Sequence, residues 1–353
     1  MEKKIKLLRL ILNITPTSGV YHQSILPSRE YCEQTVISIY KPEIDLIEDV
    51  KFYYSDNSII KYLFLMNKIY KSTNFNAIHA HTPHVGLLFL LQYLFTKRIG
   101  IKKVFSVHYS FNFIRFRNKV FLLPIFIFFD KIIFCSESSK ASFPKLFLHI
   151  IKNKSQCIYN GVDSNLINKS NSSIDEPNHF KIVTVSRLIK TKNIAMIIKA
   201  LKLINNPKLN LTVIGDGSEK NHLIELTKQL DLKKNISFLG EISRKEVYKH
   251  LAESNLFISM SITEGFPVAV LEALASGTPV ILSNIGPHIE ILKSKDCIKL
   301  VDKNSPNDLS KEVLKFFEIG DKEVKELRQK CKLIIDEYFS IKMMTANYVN
   351  TYK

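Results

Sequence analysis

An α/β fold built on parallel sheets is predicted for this chain, and three observations carry the prediction. Residues 256–283 read strand, loop, helix, turn, strand. Leu256-Phe257-Ile258 is a short buried-type strand, Thr263 to Pro267 a loop and Val268 to Ala275 a helix by composition; Gly277 stands where a C-terminal cap belongs, before the strand Pro279-Val280-Ile281-Leu282. A second alternating strand, Phe180 to Ser186, feeds a cation-bearing loop and another helix. The length of 353 residues, 46% hydrophobic and 24% charged, is enough for two domains of ordinary size. In a parallel α/β unit the loop after a strand lies at the carboxyl edge of the sheet, where open α/β sheets bind ligands.

Composition narrows the partners. The net charge of +17 calls for an anionic one, and residues 1–165 carry 22 basic against 11 acidic side chains, so most of the excess lies in the first half. That asymmetry favours an anionic membrane surface, and the chain shows no aromatic-and-basic module or helix-turn-helix for nucleic acid. Five cysteines stand singly, without a C-x-x-C pair, which fits a reducing cytosol and indicates neither a zinc site nor a disulfide framework. Arg9 interrupts the first apolar run and no small-residue cleavage site follows, so the start reads as a first strand rather than a signal peptide. The run Val120–Phe129 is shorter than the roughly 20 residues a bilayer span needs. With Arg115, Arg117 and Lys119 before it, the run reads as a core helix or as an amphipathic anchor on anionic lipid.

In chain order, the strand Ile5 to Ile14 is followed by the turn Thr15–Gly19, where Gly19 would let backbone approach a phosphate closely. The helix after it is hard to read, because Ser24 to Ser38 contains Pro27 and has weak periodicity. His79, His81 and His84 cluster after a strand, but His79 and His81 share one face and no close motif sets a third ligand, so no metal is expected; they read as structural or acceptor-side residues. His108 ends the strand Lys103–His108, where an imidazole can hydrogen-bond a sugar hydroxyl. Asn160-Gly161 is a turn, and the polar stretch 164–178 reads as a linker. Arg187 and Lys192 straddle a strand-to-helix loop and can converge on one pyrophosphate. Gly215 and Gly217 allow close approach to a nucleotide, yet G-x-G-x-x-G is incomplete, which argues against a nicotinamide enzyme. Glu264 and Glu272 each suit sugar hydroxyls, since a carboxylate accepts two hydroxyl hydrogen bonds at once; read alone, each is equally a helix-start charge or a solvated helix residue.

The string E-G-F-P-x-x-x-L-E-A-x-A-x-G-x-P-V-I, together with S-R-L-x-x-x-K-N at Ser186–Asn193 and N-G-V-D at Asn160–Asp163, resembles the retaining glycosyltransferases of family 4. The resemblance implies the GT-B fold: two Rossmann-like domains with mostly parallel sheets facing a cleft. It places an acceptor-binding domain at 1–163, the linker at 164–178, a nucleotide-sugar domain at 179–336 and a helix at 337–353 that returns to the first domain. It also implies transfer of a hexose-type sugar, UDP- or GDP-linked, to a glycan or lipid-linked hydroxyl with the anomeric configuration kept. Arg187 and Lys192 would neutralise the departing diphosphate, Glu264 would hold the sugar with backbone from Gly265, Phe266, Pro267 and Val268, and Glu272 the ribose. Gly19 and Gly215 would approach the nucleotide, the backbone at Leu239 its base, and His81 and His108 would serve the acceptor side, His108 near the forming bond. Neither a tightly bound cofactor nor a metal is implied. Only one glycine stands in the first loop, where the family usually has two. The rivals are an inverting enzyme of the same fold and an inactive sugar-binding or scaffold protein.

Overall fold

The structure, a computed structural model, describes residues 4–15, 18–45, 47–96, 100–168, 179–294 and 296–353. The chain forms two compact units, Met1–Asn160 with Ile341–Lys353, and Gly161–Ser340. In the first, seven strands form one parallel sheet: β1 (Ile5–Ile11), β2 (Cys32–Ser38), β3 (Val50–Tyr54), β4 (Ala77–Ala80), β5 (Lys102–Val107), β6 (Lys131–Phe134) and β7 (Ser155–Cys157), in the order β3-β2-β1-β4-β5-β6-β7. One face is covered by helices including Ile59–Ser72, Pro83–Thr96 and Phe116–Phe128 over a core of Leu8, Leu10, Ile78, Phe105, Phe126 and Ile132. The other face is closed by the helix Ile341–Tyr352, whose Met344, Tyr348, Val349 and Tyr352 pack on Leu7, Ala77, Val104 and Ile133. Alternation of side chains along each strand is what lets one sheet build two cores.

The second unit holds a parallel sheet of β8 (Phe180–Val185), β9 (Leu209–Ile214), β10 (Ile236–Gly240), β11 (Leu256–Ser259), β12 (Val280–Ser283) and β13 (Ile298–Val301), ordered β10-β9-β8-β11-β12-β13. The predicted helix at Val268–Ala275 and its cap are present: Gly277 adopts φ 80°, and Gly277 N donates to Leu274 O at 2.9 Å. Ser243 and Glu246 form a capping box at the start of the helix Arg244–Glu253, and Ser136 caps the helix Glu137–Ala141 by accepting from Ser139 N.

Three segments differ from the sequence reading. A helical stretch does follow Gly19, as a π turn at Tyr21–Ile25 running into Leu26–Ser28, which contains Pro27. Strand β2, hidden in the weakly periodic stretch, is buried except at Glu33; its polar Gln34 is buried because its side chain accepts from Arg9 Nε and donates to Ile25 O. Of the expected linker, Ser164–Asn168 is a helix in the second unit, with Ser164 Oγ donating to Asp336 Oδ1 at 2.8 Å; residues 169–178, like Pro16 and Thr17, lie outside the described residues. The helix Asp321–Tyr338 belongs to the second unit and the returning helix starts at Ile341.

Candidate active site

In each sheet the chain starts in the middle, builds one side and then crosses over, so strand order reverses between β1 and β4 and between β8 and β11. Loops leaving the two strands at such a reversal part in opposite directions and leave a crevice at the carboxyl edge. In the second unit those are the loops Ser186–Asn193 and Met260–Pro267. They are stitched together by Ile262 N donating to Thr191 O at 2.8 Å.

On this frame Lys192 and Glu264, 72 positions apart, form an ion pair through Nζ and Oε1, and both side chains are largely buried. Ser261 Oγ also donates to Glu264 Oε1, at 2.7 Å. Arg187 stands exposed on the same loop. The loop's path is enforced from below. Gly215, at φ 124°, lies so close to it that an added Cβ would come within 1.9 Å of Ser186 O, while Leu188 N donates to Asp216 O at 2.8 Å. The demand for glycine at 215 is thus met by the protein's own backbone. Phe266 is buried against Phe339 at 5.5 Å between ring centres, and Pro267 opens the helix Val268–Ala275; Gly265 and Val268 are partly exposed beside them.

Glu272, one turn into that helix and only 6% exposed, is the second carboxylate. Its Oε1 accepts from Arg244 Nη2 and, at 3.4 Å, from the Tyr248 hydroxyl. Arg244 in turn donates from Nε and Nη2 to the Tyr248 oxygen at 3.0 and 2.7 Å. Burial pushes the Glu272 carboxyl above its usual range, and the Arg244 charge pulls it back. Arg244 and Tyr248 were not singled out from sequence; the signal available was the capping box at Ser243, which fixes Arg244 in the first turn with Tyr248 four residues on, one helical turn away. In both glutamates only Oε1 has a hydrogen-bond partner among the described residues, which leaves Oε2 for a ligand hydroxyl. A buried histidine not anticipated, His288, donates from Nδ1 to Ser283 O at 2.9 Å; it feels the charges of Glu264 and Lys192, and burial pushes it down to about 4.

Leu239 is 40% exposed at the end of β10, and an added Cβ at Gly19 would meet nothing, so both keep open backbone, each in its own unit. In the first unit His108 follows β5 and is half-buried; its Nε2 lies 3.4 Å from His81 Nδ1, the two rings stack, and burial pushes it down to about 4. His81 is enclosed, so any effect it has on a ligand passes through His108. His84 points elsewhere, accepting from Arg117 Nη2 at 3.0 Å, and among the described residues no group of three or more metal-ligating side chains converges.

Comparison with known proteins agrees with this geometry. A family model for glycosyl transferases group 1 matches residues 167–333, and one for glycosyltransferase family 4 matches residues 38–166. The O-antigen biosynthesis glycosyltransferase WclY of Escherichia coli is 30% identical over 234 residues, 65% of this chain and 62% of that protein, so the matched stretch spans less than two thirds of the relative. An Escherichia coli UDP-Gal:alpha-D-GlcNAc-diphosphoundecaprenol alpha-1,3-galactosyltransferase is 27% identical over 76% of this chain and 72% of its own length. Anabaena HepE, solved in complex with UDP and glucose, superposes with a TM-score of 0.82 at 19% identity, covering 98% of this chain and 99% of that one, a likeness of fold. The two family matches run on from one another and together take in residues 38–333, one on each parallel sheet: the chain belongs to the group 1 glycosyltransferases, of family 4 and GT-B fold.

Proposed function

We propose that the chain moves a hexose-type sugar from a nucleotide diphosphate sugar to a hydroxyl of a glycan or lipid-linked acceptor, keeping the anomeric configuration. The observation that carries this is the meeting of Lys192 with Glu264 at the crevice between β8 and β11, with Arg187 on the same loop. Without ligand, one carboxylate balances Lys192. A diphosphate brings more negative charge than a carboxylate, so it can take Lys192 as its partner while Glu264 turns to the sugar hydroxyls, Ser261 still donating to it. Glu272, held at Oε1 by Arg244, offers Oε2 to the ribose. Charge on the departing diphosphate is then met by Arg187 and Lys192, a kind of stabilisation worth about 3 kcal/mol per donor group. In this reading the leaving phosphate takes the acceptor's proton, and neither a resident cofactor nor a metal is required. HepE is solved with UDP and glucose, and the galactosyltransferase relative is named for a UDP sugar and a diphosphoundecaprenol-linked acceptor, which supports a UDP-linked donor; the WclY relative, named for O-antigen biosynthesis, supports a place in surface polysaccharide synthesis. Incubation of the chain with a panel of nucleotide sugars and lipid-linked acceptors, followed by proton NMR of the product, is expected to show the donor's own anomeric configuration. The opposite anomer would replace this reading with an inverting one.

The acceptor's lipid also has a place to sit. Helix Phe116–Phe128 buries Leu122, Ile125 and Phe126, but Phe116, Val120, Leu123 and Ile127, spaced at helical intervals, form an exposed apolar stripe, with Phe116 82% exposed. Arg115, Arg117 and Lys119 are at its start. The helix is therefore core on one side and carries an exposed apolar face on the other. Among the described residues no helix is long and apolar enough to cross a membrane. We place this stripe on the inner face of an anionic membrane, so that the protein works from the cytoplasm as a peripheral enzyme. Phe116→Ser with Ile127→Ser is expected to weaken co-sedimentation with phosphatidylglycerol vesicles about tenfold or more, since each large apolar side chain contributes about 1.5–3 kcal/mol when buried. Equal sedimentation of variant and parent would remove the stripe from the account.

A further inference from the structure

Arg9 is fully buried at the middle of β1, and among the described residues no carboxylate contacts it. A buried guanidinium is tolerable only if its N–H groups are all satisfied. Here Nε donates to Gln34 Oε1 at 2.6 Å, and Nη2 donates to Ser24 O at 3.0 Å and Ser28 Oγ at 3.1 Å. Nη1 faces Ser24 Oγ at 2.6 Å, His79 Nδ1 at 3.2 Å and His81 Nε2 at 3.3 Å. Arginine has no acceptor atom, and Nη1 shares its two protons among these three neighbours, so a ring nitrogen that bonds to it must be unprotonated.

That single rule propagates. His79 Nδ1 is an acceptor, also for the Tyr352 hydroxyl at 2.8 Å, so its proton is on Nε2, which donates to Ser106 Oγ at 2.8 Å. His81 Nε2 is an acceptor, so its proton is on Nδ1 and points to His108 Nε2 at 3.4 Å. His108 Nε2 must then accept, and its proton is on Nδ1, which has no hydrogen-bond partner among the described residues. We infer that Arg9, acting through His81, fixes the tautomer of His108 with its proton on Nδ1, so that the histidine meets its ligand as a hydrogen-bond donor and not as a base. Arg9 and His81 are positioning residues. Burial and the Arg9 charge hold His79 and His81 well below the ordinary histidine range, so both stay neutral and pass on a tautomer rather than a proton. The ligand group this suits is an oxygen lone pair, on a sugar hydroxyl or a phosphoryl or bridging oxygen. Abstraction of a proton from an acceptor hydroxyl is ruled out for this nitrogen.

The ligand's identity rests on the sugar-transfer reading; the tautomer does not. Full-length protein labelled with ¹⁵N-histidine, without substrate, reports it through two-bond ¹H–¹⁵N correlations of the ring nitrogens, the His108 signals being assigned by their loss in His108→Gln. A protonated Nδ1 and an unprotonated Nε2 are expected in the parent. In His81→Phe, which keeps the ring's shape and removes the donor, the fixed pattern is expected to give way to a mixture of tautomers, and Arg9→Met, if it folds, should do the same. A protonated Nε2 at His108 in the parent overturns the inference, as does an unchanged Nδ1–H pattern in His81→Phe. If the pattern holds and no sugar is transferred, only the proposed function fails.

Discussion

Lys192→Ala is expected to lower kcat/KM by about two to three orders of magnitude while moving the melting temperature by only a few degrees. The size follows from what the side chain would be asked to do. A preorganised donor aimed at charge that develops in the transition state is worth about 2.7–4 kcal/mol, and each 1.36 kcal/mol is tenfold in rate. The ion pair with Glu264 is a smaller matter for stability. Its loss leaves Glu264 with the Ser261 hydroxyl, and both partners keep some access to water. A Lys192→Ala protein that turned over at the parental rate would show that its pairing with Glu264 is structural only. Arg187, exposed on the same loop, should show a similar loss of rate with still less effect on folding.

Acidification is the second large effect. His108 in the first unit and His288 in the second are each pushed down to about 4 by burial, and His79 and His81 in the first unit are also held well below the ordinary histidine range. Between the ordinary histidine value of about 6.5 and the folded value, the unfolded chain binds protons that the folded one does not, so stability rises with pH through this window. The stabilisation is complete above pH 6.5 and is lost as pH falls toward 4. At 1.36 kcal/mol per unit, His108 and His288 each stand for about 3 kcal/mol, a large part of the roughly 5–15 kcal/mol by which a domain is stable. Among the described residues the first unit carries four histidines lowered by burial, His79, His81, His84 and His108, against His288 in the second, so it is expected to unfold at the higher pH. Hydrogen exchange followed from pH 7 to 4 would resolve the two units. Loss of protection in the second sheet first, or no loss above pH 4, would contradict the assignment of neutral buried imidazoles.

What could be read from the sequence followed the distance over which each feature is encoded. The second unit's site is written in short strings: Glu264, Pro267, Glu272 and Gly277 lie within one strand-loop-helix-turn, and Arg187 with Lys192 within another. Their types and spacings define the elements as well as the chemistry. The first unit's polar core was invisible because Arg9, Gln34, His79, His81 and Tyr352 come from three strand regions and the returning helix, and each alone looks like an interruption in an apolar run. Arg9 reads as a break in a hydrophobic stretch, and Gln34 falls in a stretch of weak periodicity. Only register shows their purpose, for Arg9 is paired directly with His79 across β1 and β4. Arg244 fell between the two cases: its helix start was legible, its partner Glu272, 28 residues away, was not.

The returning helix has a consequence for biogenesis. Because Met344, Tyr348, Val349 and Tyr352 cover the apolar side of β1, β4, β5 and β6, that side stays bare until the ribosome has made the whole of residues 161–340. The usual vectorial order, N-terminal domain first, is therefore suspended here. The second unit can mature while the earlier half waits, greasy and available to chaperones, for its last twelve-residue strip.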